Sequence, residues 1–432
     1  MKYTGWGNFP TADADSYRYS TEPSLAGMLG NNQYLIARGN GRSYGDSALS
    51  QNIIETKQHR YFLDFDERNG LIRVQSGILL SEILDVIISK GWFLKVTPGT
   101  KLITVGGAIA SDVHGKNHHL EGCFSETLIE FRLMLPDGSI VVCSKQANSE
   151  LFKATCGGMG LTGIILDATI SLKPIASSQI TQKTIKSANL KATFEAFEQY
   201  SHEPYSVAWI DCLATGDSLG KSLLMVGDFA DEGGLRYQSP SKIDIPVMFP
   251  SFALNRMSVK AFNFCYYNKV RANTSIQSVS IDSFFYPLDA IAHWNRMYGN
   301  NGFTQFQFIL PKVRSYEGLH KILEMISTSG RGSFLAVLKL YGPENDNYLS
   351  FPMEGYSLAL DFKIEPGVFE FLDALDRVVL EYGGRHYLAK DARVSKNVFA
   401  QGYPNLSKFR AVREQFEMTE KFNSLQSQRL GI

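Results

Sequence analysis

Residues 37–47 read Ala37-Arg38-Gly39-Asn40-Gly41-Arg42-Ser43-Tyr44-Gly45-Asp46-Ser47. The apolar run Tyr34 to Ala37 reads as a buried strand, so the chain passes from a strand into a glycine turn. The dinucleotide fingerprint G-x-G-x-x-G needs a helix after that turn. Here the third glycine, Gly45, comes one position late, and Asp46 to Gln51 has no helical period. A second stretch, Gly158-Met159-Gly160-Leu161-Thr162-Gly163, matches the fingerprint letter for letter. Its context is reversed: a helix-like Glu150 to Thr155 precedes it and a strand-like Ile164 to Leu172 follows. A pyrophosphate seated on a helix N-terminus requires the opposite order. A Rossmann-type fold is therefore rejected.

The glycines still need a reason. Glycine reaches positive φ and lets a main-chain N–H approach a ligand closely. A row of such N–H groups makes a concave anion nest. Four stretches qualify: Arg38 to Asp46, Pro98 to Thr100, Thr104 to Gly107, and Gly157 to Gly163. Each lies beside an apolar strand or helix, which predicts one extended anionic ligand wrapped by backbone. A dinucleotide pyrophosphate fits. The competing reading is a set of tight turns in a glycine-rich domain.

Further along, Tyr61 to Phe65 and Leu71 to Gln75 read as strands. Leu80, Ile83, Leu84, Ile87 and Ile88 follow helical spacing, with Gly91 placed to end the helix. Leu128 to Leu135, Pro136-Asp137-Gly138 and Ser139 to Cys143 form a hairpin pattern. This is α+β, with much antiparallel pairing. After Pro174 glycine thins and aromatics rise. Tyr237 to Asn268 carries Pro240, Pro246 and Pro250 among Met and Phe residues, and the prolines argue against a long helix. It reads equally as core, as a mobile lid or as a surface for a lipid-like chain. Gln305 to Leu310, Phe334 to Tyr341 and Tyr356 to Phe362 are strand-like. A helix through Phe371, Leu375, Val378 and Val379 ends at Gly383-Gly384, and an amphipathic helical tail runs from about Leu406 to Leu430.

The chain has 432 residues, 44% apolar and 20% charged, with 43 basic and 43 acidic residues. That supports a sizeable core and two or three domains, and excludes a disordered chain. A net charge of zero leaves no global field for a nucleic-acid backbone. The 5 cysteines are scattered, without a C-x-x-C pair, so neither a disulfide framework nor a thiolate metal site is expected. No apolar run reaches the roughly 18 residues of a membrane span, and no signal peptide is read at the start. The expectation is a cytoplasmic protein, with peripheral contact at the inner face of the plasma membrane left open.

Arg38 to Asp46, Pro98-Gly99-Thr100, Thr104 to Ala110 and His114-Gly115-Lys116-Asn117-His118-His119 together resemble the PCMH-type FAD-binding domain of the vanillyl-alcohol-oxidase flavoenzymes. Within that superfamily the chain resembles the decaprenylphosphoryl-ribose oxidase family, the similarity continuing through Gly157 to Ile165, Gln305 to Phe308, Leu338-Lys339, Ser350-Phe351-Pro352 and Ala389-Lys390-Asp391. The His-Gly-Lys-Asn-His-His run and the Ala-Lys-Asp segment are the specific parts. The resemblance implies an FAD domain of two α+β subdomains over residues 1–176. A substrate domain over 177–385 would carry a large antiparallel sheet flanked by helices, and 386–432 would return to the FAD domain. It implies oxidation of the 2-hydroxyl of a polyprenyl-phosphate pentose to the 2-keto sugar. A separate short-chain reductase would then complete an epimerisation for cell-envelope glycan.

The resemblance also assigns residues. Ala37 to Ser47 would wrap the pyrophosphate, with Gly99, Thr104, Val105, Gly106 and Gly107 opposite, joined by Ser111, Asp112, Val113 and His114. Ile165 would line the adenine side and Tyr387 would approach from the returning segment. Relatives with covalent FAD use a His where this chain has Arg42, so non-covalent FAD is expected. Lys390 is the expected catalytic lysine or substrate anchor, desolvated between sheet and flavin; without the resemblance it would read as a surface lysine. Lys339 is a charge within an apolar strand pattern, costly unless paired, and the resemblance places it with Lys116 in the substrate pocket. Gln305 and Gln307 share one strand face, which solvent explains as well as a sugar does. Tyr44, Trp209 and Tyr286 would flank flavin or sugar, with core packing as the alternative. Ser357 and Ala359 would line the pocket strand, Ala359 standing where mycobacterial family members carry a cysteine trapped by nitroaromatic inhibitors. His114 and His118, four apart, raise a metal reading. No acidic residue stands at zincin spacing, so no metal is expected, and His114 near the flavin, with a minor role as base, is preferred.

Two other functions compete: a soluble alditol or aldonolactone oxidase of the same superfamily, and a flavin-binding protein without turnover. The apolar Tyr237 to Asn268 stretch favours a lipid-linked substrate over the first. Lys339 and Lys390 argue against the second.

Overall fold

In the computed structural model, which describes residues 1–239, 243–250 and 253–432, the apolar run before the glycine turn becomes the strand Leu35–Arg38. It lies parallel to Asn52–Glu55, which is parallel in turn to Asp15–Tyr17. The helix Glu22–Asn31 joins the outer two strands, capped by the Thr21 side chain accepting from Ser24 N. This small parallel sheet was not anticipated in a pattern dominated by antiparallel signals.

A second sheet is ordered Ile140–Cys143, Leu128–Met134, Ile164–Pro174, Leu71–Gln75 and Phe62–Asp66, with Trp92–Leu94 pairing the far end of Ile164–Pro174. The helix Leu80–Ile87 buries Leu80, Ile83, Leu84 and Ile87, one stripe at 3.6-residue spacing. Gly91, at φ +83°, ends it.

The third sheet has eight strands. Their order is Thr274–Ser280, Gln179–Ser187, Ser222–Phe229, Tyr205–Ile210, Ala336–Tyr341, Gly355–Lys363, Phe303–Pro311 and Arg385–His386. Every neighbouring pair is antiparallel. Alternation gives it two faces. Phe306, Phe308, Leu338, Leu340, Leu358 and Leu360 point to one side, where they pack with Leu319, Ile322 and Ile326 of the helix Lys312–Ser329 and with Leu372, Leu375 and Val379 of Val368–Glu381. Each such side chain contributes roughly 1.5–3 kcal/mol on burial. The other face looks toward the glycine turns.

The chain beyond Tyr387 packs back on the first sheet. Leu35 N donates to Lys421 O at 2.9 Å and Leu425 N to Leu49 O at 2.7 Å. The tail is two helices, Leu406–Gln415 and Leu425–Leu430, rather than one; Glu417 at φ +52° breaks it. In the stretch Tyr237 to Asn268, a 13-residue helix, Arg256–Asn268, forms after the last proline, its start capped by the Asn255 side chain. The prolines thus displace the helix rather than prevent it. Pro240 and Phe252 of that stretch lie outside the described residues. Among the described residues no helix is long and apolar enough to cross a membrane.

Candidate active site

A cavity of about 610 Å³ lies between the glycine turns and the open face of the eight-stranded sheet. At its first end the strand Leu35–Arg38 runs out and the turn begins. Among the described residues, the main-chain N–H groups of Gly39, Asn40, Gly41, Arg42 and Ser43 have no protein acceptor, whereas Tyr44 N turns away to Ala389 O at 3.0 Å. Gly99 and Thr100, across the cavity, likewise leave their N–H groups free. Gly41 needs its glycine at φ +61°, and a Cβ at Gly99 would meet nothing within 4 Å, so the space above it is open. Ser76 Oγ, His114 Nδ1 and Tyr341 OH are buried without partners, and all three residues line the cavity. Free amides for a pyrophosphate and unpaired polar atoms for a ring system fit FAD.

The other two glycine stretches behave differently. Val105 N donates to Ile78 O at 2.9 Å and Gly106 N to Ser76 O at 2.8 Å, while Gly107 N donates to Thr104 Oγ1 at 3.2 Å. Gly157 N and Met159 N donate to Ile109 O and Ala110 O at 3.0 and 2.8 Å. These amides are spent on the fold. Thr104, Gly106, Gly107 and Gly160 line the wall without offering a full nest.

Of the residues predicted for the cofactor, Ala37, Ser47, Ser111, Val113, Ile165 and Tyr387 line the cavity. Five stand behind it. The Arg38 guanidinium donates to Thr4 O at 2.6 Å and Ala48 O at 3.1 Å. Gly45 is pressed against the Asp391 main chain. Asp46 is paired with Arg429 at 2.8 Å. Val105 is in the core. Asp112 accepts from Ser125 N, Asn347 Nδ2 and Ser350 Oγ at 3.0, 2.8 and 2.7 Å, so its oxygens are already used. Tyr286, predicted beside the substrate, is also displaced: it is buried and bonded to the Thr97 hydroxyl at 2.7 Å. Its reach is the turn before Gly99.

At the second end the sheet supplies the lining in rows. Gln307 stands opposite Ala359, which stands opposite Val337, which stands opposite Trp209. In the next row Ser357 stands opposite Lys339, and on the other side Gln305 stands opposite Asp361. The period of two that buries Leu338 and Leu340 therefore turns Lys339 into the cavity. Burial pulls the Lys339 pKa down to about 8. Lys116 is half-buried against the Phe284 ring, 4.4 Å from its centre, and donates to Phe284 O; desolvation, with the charge of Lys339, lowers its pKa to about 7.

Lys390 arrives on the returning segment. Arg429 bridges Asp46 and Asp391 at 2.8 Å each, and Asp391 also accepts from Arg393 N and Val394 N at 2.9 and 2.8 Å. This clamp ties the Ala-Lys-Asp segment to the glycine turn and puts Lys390 Nζ over the Tyr44 ring, 3.6 Å from its centre. Burial lowers the Lys390 pKa, against the pull of Asp361. Lys116, Lys339 and Lys390 form no ion pair among the described residues. His114 is enclosed by Tyr341, Phe351 and Tyr387, with ring centres 5.1, 5.5 and 4.9 Å away. Its Nε2 faces Gln307 Nε2 at 3.4 Å. Burial, then Lys339, hold its pKa well below the usual range, so the ring is neutral.

His118 does not join His114. Its Nδ1 accepts from Gly342 N at 3.2 Å, and its Nε2 faces Cys123 Sγ at 3.4 Å. Among the described residues no group of three metal-ligating side chains assembles.

Sequence reasoning missed Asp289 and Asp361. Asp289 accepts from Thr100 Oγ1 at 2.7 Å and Lys101 N at 2.8 Å, shaping the Pro98 to Thr100 turn from 188 residues away. Nothing local announces that. Asp361 was legible, since it follows Ser357 and Ala359 at a spacing of two.

What this cradle and pocket define is an FAD-binding oxidoreductase. A family model described as an FAD binding domain matches residues 27–144. The chain is 34% identical over 413 residues to decaprenylphosphoryl-beta-D-ribose oxidase of Mycolicibacterium smegmatis, covering 92% of this chain and 89% of that one. An uncharacterised protein of Streptomyces coelicolor is 28% identical over 370 residues, 82% of this chain and 100% of its own. Human Delta(24)-sterol reductase is 26% identical over 186 residues, 42% of this chain and 34% of its own. The chain belongs to the decaprenylphosphoryl-β-D-ribose oxidase family. It is an FAD-dependent oxidoreductase.

Proposed function

We propose that the protein oxidises the 2-hydroxyl of a pentose carried on a polyprenyl phosphate to the 2-keto sugar, and that a short-chain reductase completes the epimerisation for cell-envelope glycan synthesis. One observation carries the reading: Lys339 and Lys116 line the cavity, half-buried and paired with no carboxylate among the described residues. Cations withdrawn from water are costly alone, and a substrate phosphate supplies the missing charge. The name of the 34% identical relative supports the same substrate class.

FAD, when bound, accepts the hydride from the carbinol carbon. The protein's part is to place that carbon and to take the hydroxyl proton. Lys390, lowered in pKa by burial, takes the proton on Nζ or anchors the hydroxyl. Gln305 and Gln307 hold the sugar from the sheet, and neutral His114 hydrogen-bonds at the ring end. Val207, Met225 and Val279 line the wall and suit the first prenyl units. FAD is held without a covalent bond: Arg42 stands in the turn, its guanidinium 3.9 Å from the Trp6 ring centre.

The apolar side chains of Met257, Phe264 and Ile276, 81%, 64% and 67% exposed, lie with exposed Lys260 and Arg271 on the segments that bring Tyr266, Lys269 and Gln277 to the cavity. An amphipathic, basic surface of this kind favours an anionic bilayer. We place the enzyme there, peripherally, at the inner face of the plasma membrane. Anaerobic mixing of the holoenzyme with polyprenyl-phosphoryl ribose tests the reaction: the flavin absorbance bleaches. Bleaching by free alditols or aldonolactones instead assigns a free-sugar oxidase, and bleaching by neither removes turnover.

A further inference from the structure

We propose that Lys101 is a positioning residue that ties the cofactor turn to the substrate wall, so that FAD seated on the turn also sets the pocket for the phosphate-bearing substrate. The proposal rests on the reading above, in which the free amides of Gly99 and Thr100 meet FAD and Lys116 meets the phosphate. Lys101 follows those two amides in the chain. Its carbonyl is fixed on one side, accepting from Ser81 N at 2.9 Å. On the other side its ammonium donates to Asp282, to Tyr237 OH at 2.7 Å and to Ser239 Oγ at 3.0 Å, so all three of its hydrogens are used. Lys101 is 3% exposed and Asp282 6%. An ion pair so far from water attracts strongly and holds a strict geometry.

Asp282 lies in the short helix Ile281–Phe285. Phe285 packs on Phe93 and Tyr205, with ring centres 5.0 and 4.8 Å away, which anchors the helix in the core. Phe284 lines the cavity, where its ring and its carbonyl both meet Lys116 Nζ. The contacts are therefore continuous, from the turn through Lys101 and Asp282 to Phe284 and the lysine that receives the phosphate. Two further ties hold only the residues after the helix: Tyr286 OH is bonded to the Thr97 hydroxyl at 2.7 Å, and Asp289 takes Thr100 Oγ1 and Lys101 N at 2.7 and 2.8 Å. The ammonium alone reaches the helix itself. With Tyr237 and Ser239 it also holds the other root of the excursion that carries the helix Arg256–Asn268 and the strand Thr274–Ser280. Coupling of this kind is reciprocal: FAD that orders the turn favours substrate, and substrate on Lys116 favours FAD.

The test compares the protein with a variant carrying Lys101→Met and Asp282→Leu together. Exchanging a buried ion pair for apolar side chains is often neutral for stability, so the fold survives while the tie is cut. Amide hydrogen exchange read by mass spectrometry, with FAD bound and with FAD stripped, follows each segment. In the unaltered protein FAD slows exchange about tenfold or more both in residues 98–101 and in residues 281–285. In the variant the turn and residues 286–289 remain slowed, whereas 281–285 are not. KM for polyprenyl-phosphoryl ribose then rises about fivefold or more, and the maximal rate of flavin bleaching is unchanged. Slowing of 281–285 that persists in the variant overturns the proposal. Slowing lost with KM unmoved also overturns it, since the tie then does not set the pocket. If FAD leaves residues 98–101 unslowed in the unaltered protein, the cofactor reading of that turn fails and takes the proposal with it. Should the double variant not fold, Asp282→Asn decides: it weakens the tie without removing it, so the slowing of 281–285 shrinks, and undiminished slowing there overturns the proposal.

Discussion

Lys390 Nζ stands 3.6 Å from the centre of the Tyr44 ring, so a residue of the cofactor turn carries a charge brought in by a distant segment. A cation over a buried ring is held by about 2 kcal/mol or more, without being neutralised. Replacing Lys390 by Met should leave FAD bound and the fold intact while bleaching by substrate slows by roughly 10²–10⁴-fold, the range for a lost acid–base group. Stopped-flow absorbance measures it, and full turnover in the variant would exclude the lysine.

Lys339 should make substrate affinity pH-dependent. Burial lowers its pKa to about 8, so the cation is present below that value and lost as pH rises through it. KM for the phosphorylated substrate should therefore climb above pH 8, with kcat changing less. The same shift works against the fold: the unfolded chain holds the proton more tightly, so this lysine lowers stability at every pH below its unfolded value. Lys339→Met should raise both KM, about tenfold or more, and the melting temperature. A lower melting temperature would mean that the lysine has a hidden partner.

Gly39 has no room for a side chain, because a Cβ there would strike the Thr104 hydroxyl that caps the wall opposite. Gly39→Val should yield folded, colourless protein with FAD affinity reduced at least tenfold. Circular dichroism and flavin fluorescence separate this outcome from misfolding.

With Arg42 stacked on Trp6 in place of an attachment histidine, acid precipitation should leave the yellow colour in the supernatant. Colour in the pellet would reveal a covalent bond.

Sedimentation with anionic vesicles should carry the protein down at low salt. Met257→Glu with Phe264→Glu should abolish that while leaving turnover of a short-chain, detergent-soluble substrate unchanged. Equal sedimentation of the variant would move the contact elsewhere.

The parts of this molecule that sequence could show are those written in local spacing. The helix Leu80–Ile87 follows from its apolar stripe, and the inward turn of Lys339, Gln305 and Gln307 follows from strand alternation. The resemblance carried by His114 to His119 and by Ala389 to Asp391 pointed to the cofactor. What remained hidden depends on partners far along the chain. Asp46 and Asp112 look like ligand contacts in sequence, yet Arg429 and the 345–350 loop claim their oxygens. The amides of Gly106 and Gly157 look free, yet Ser76 and Ile109 take them. A glycine motif gives the shape a backbone is able to adopt; which N–H groups stay open is settled by tertiary neighbours.

Arg429 grips Asp46 across 383 positions, and through Asp391 it also fixes the neighbour of Lys390. The glycine turn that ends at Asp46 is therefore finished only after a segment 383 positions further along has docked on it. A nascent protein halted on the ribosome before this arginine should therefore hold its vitamin-derived group less tightly than the released one.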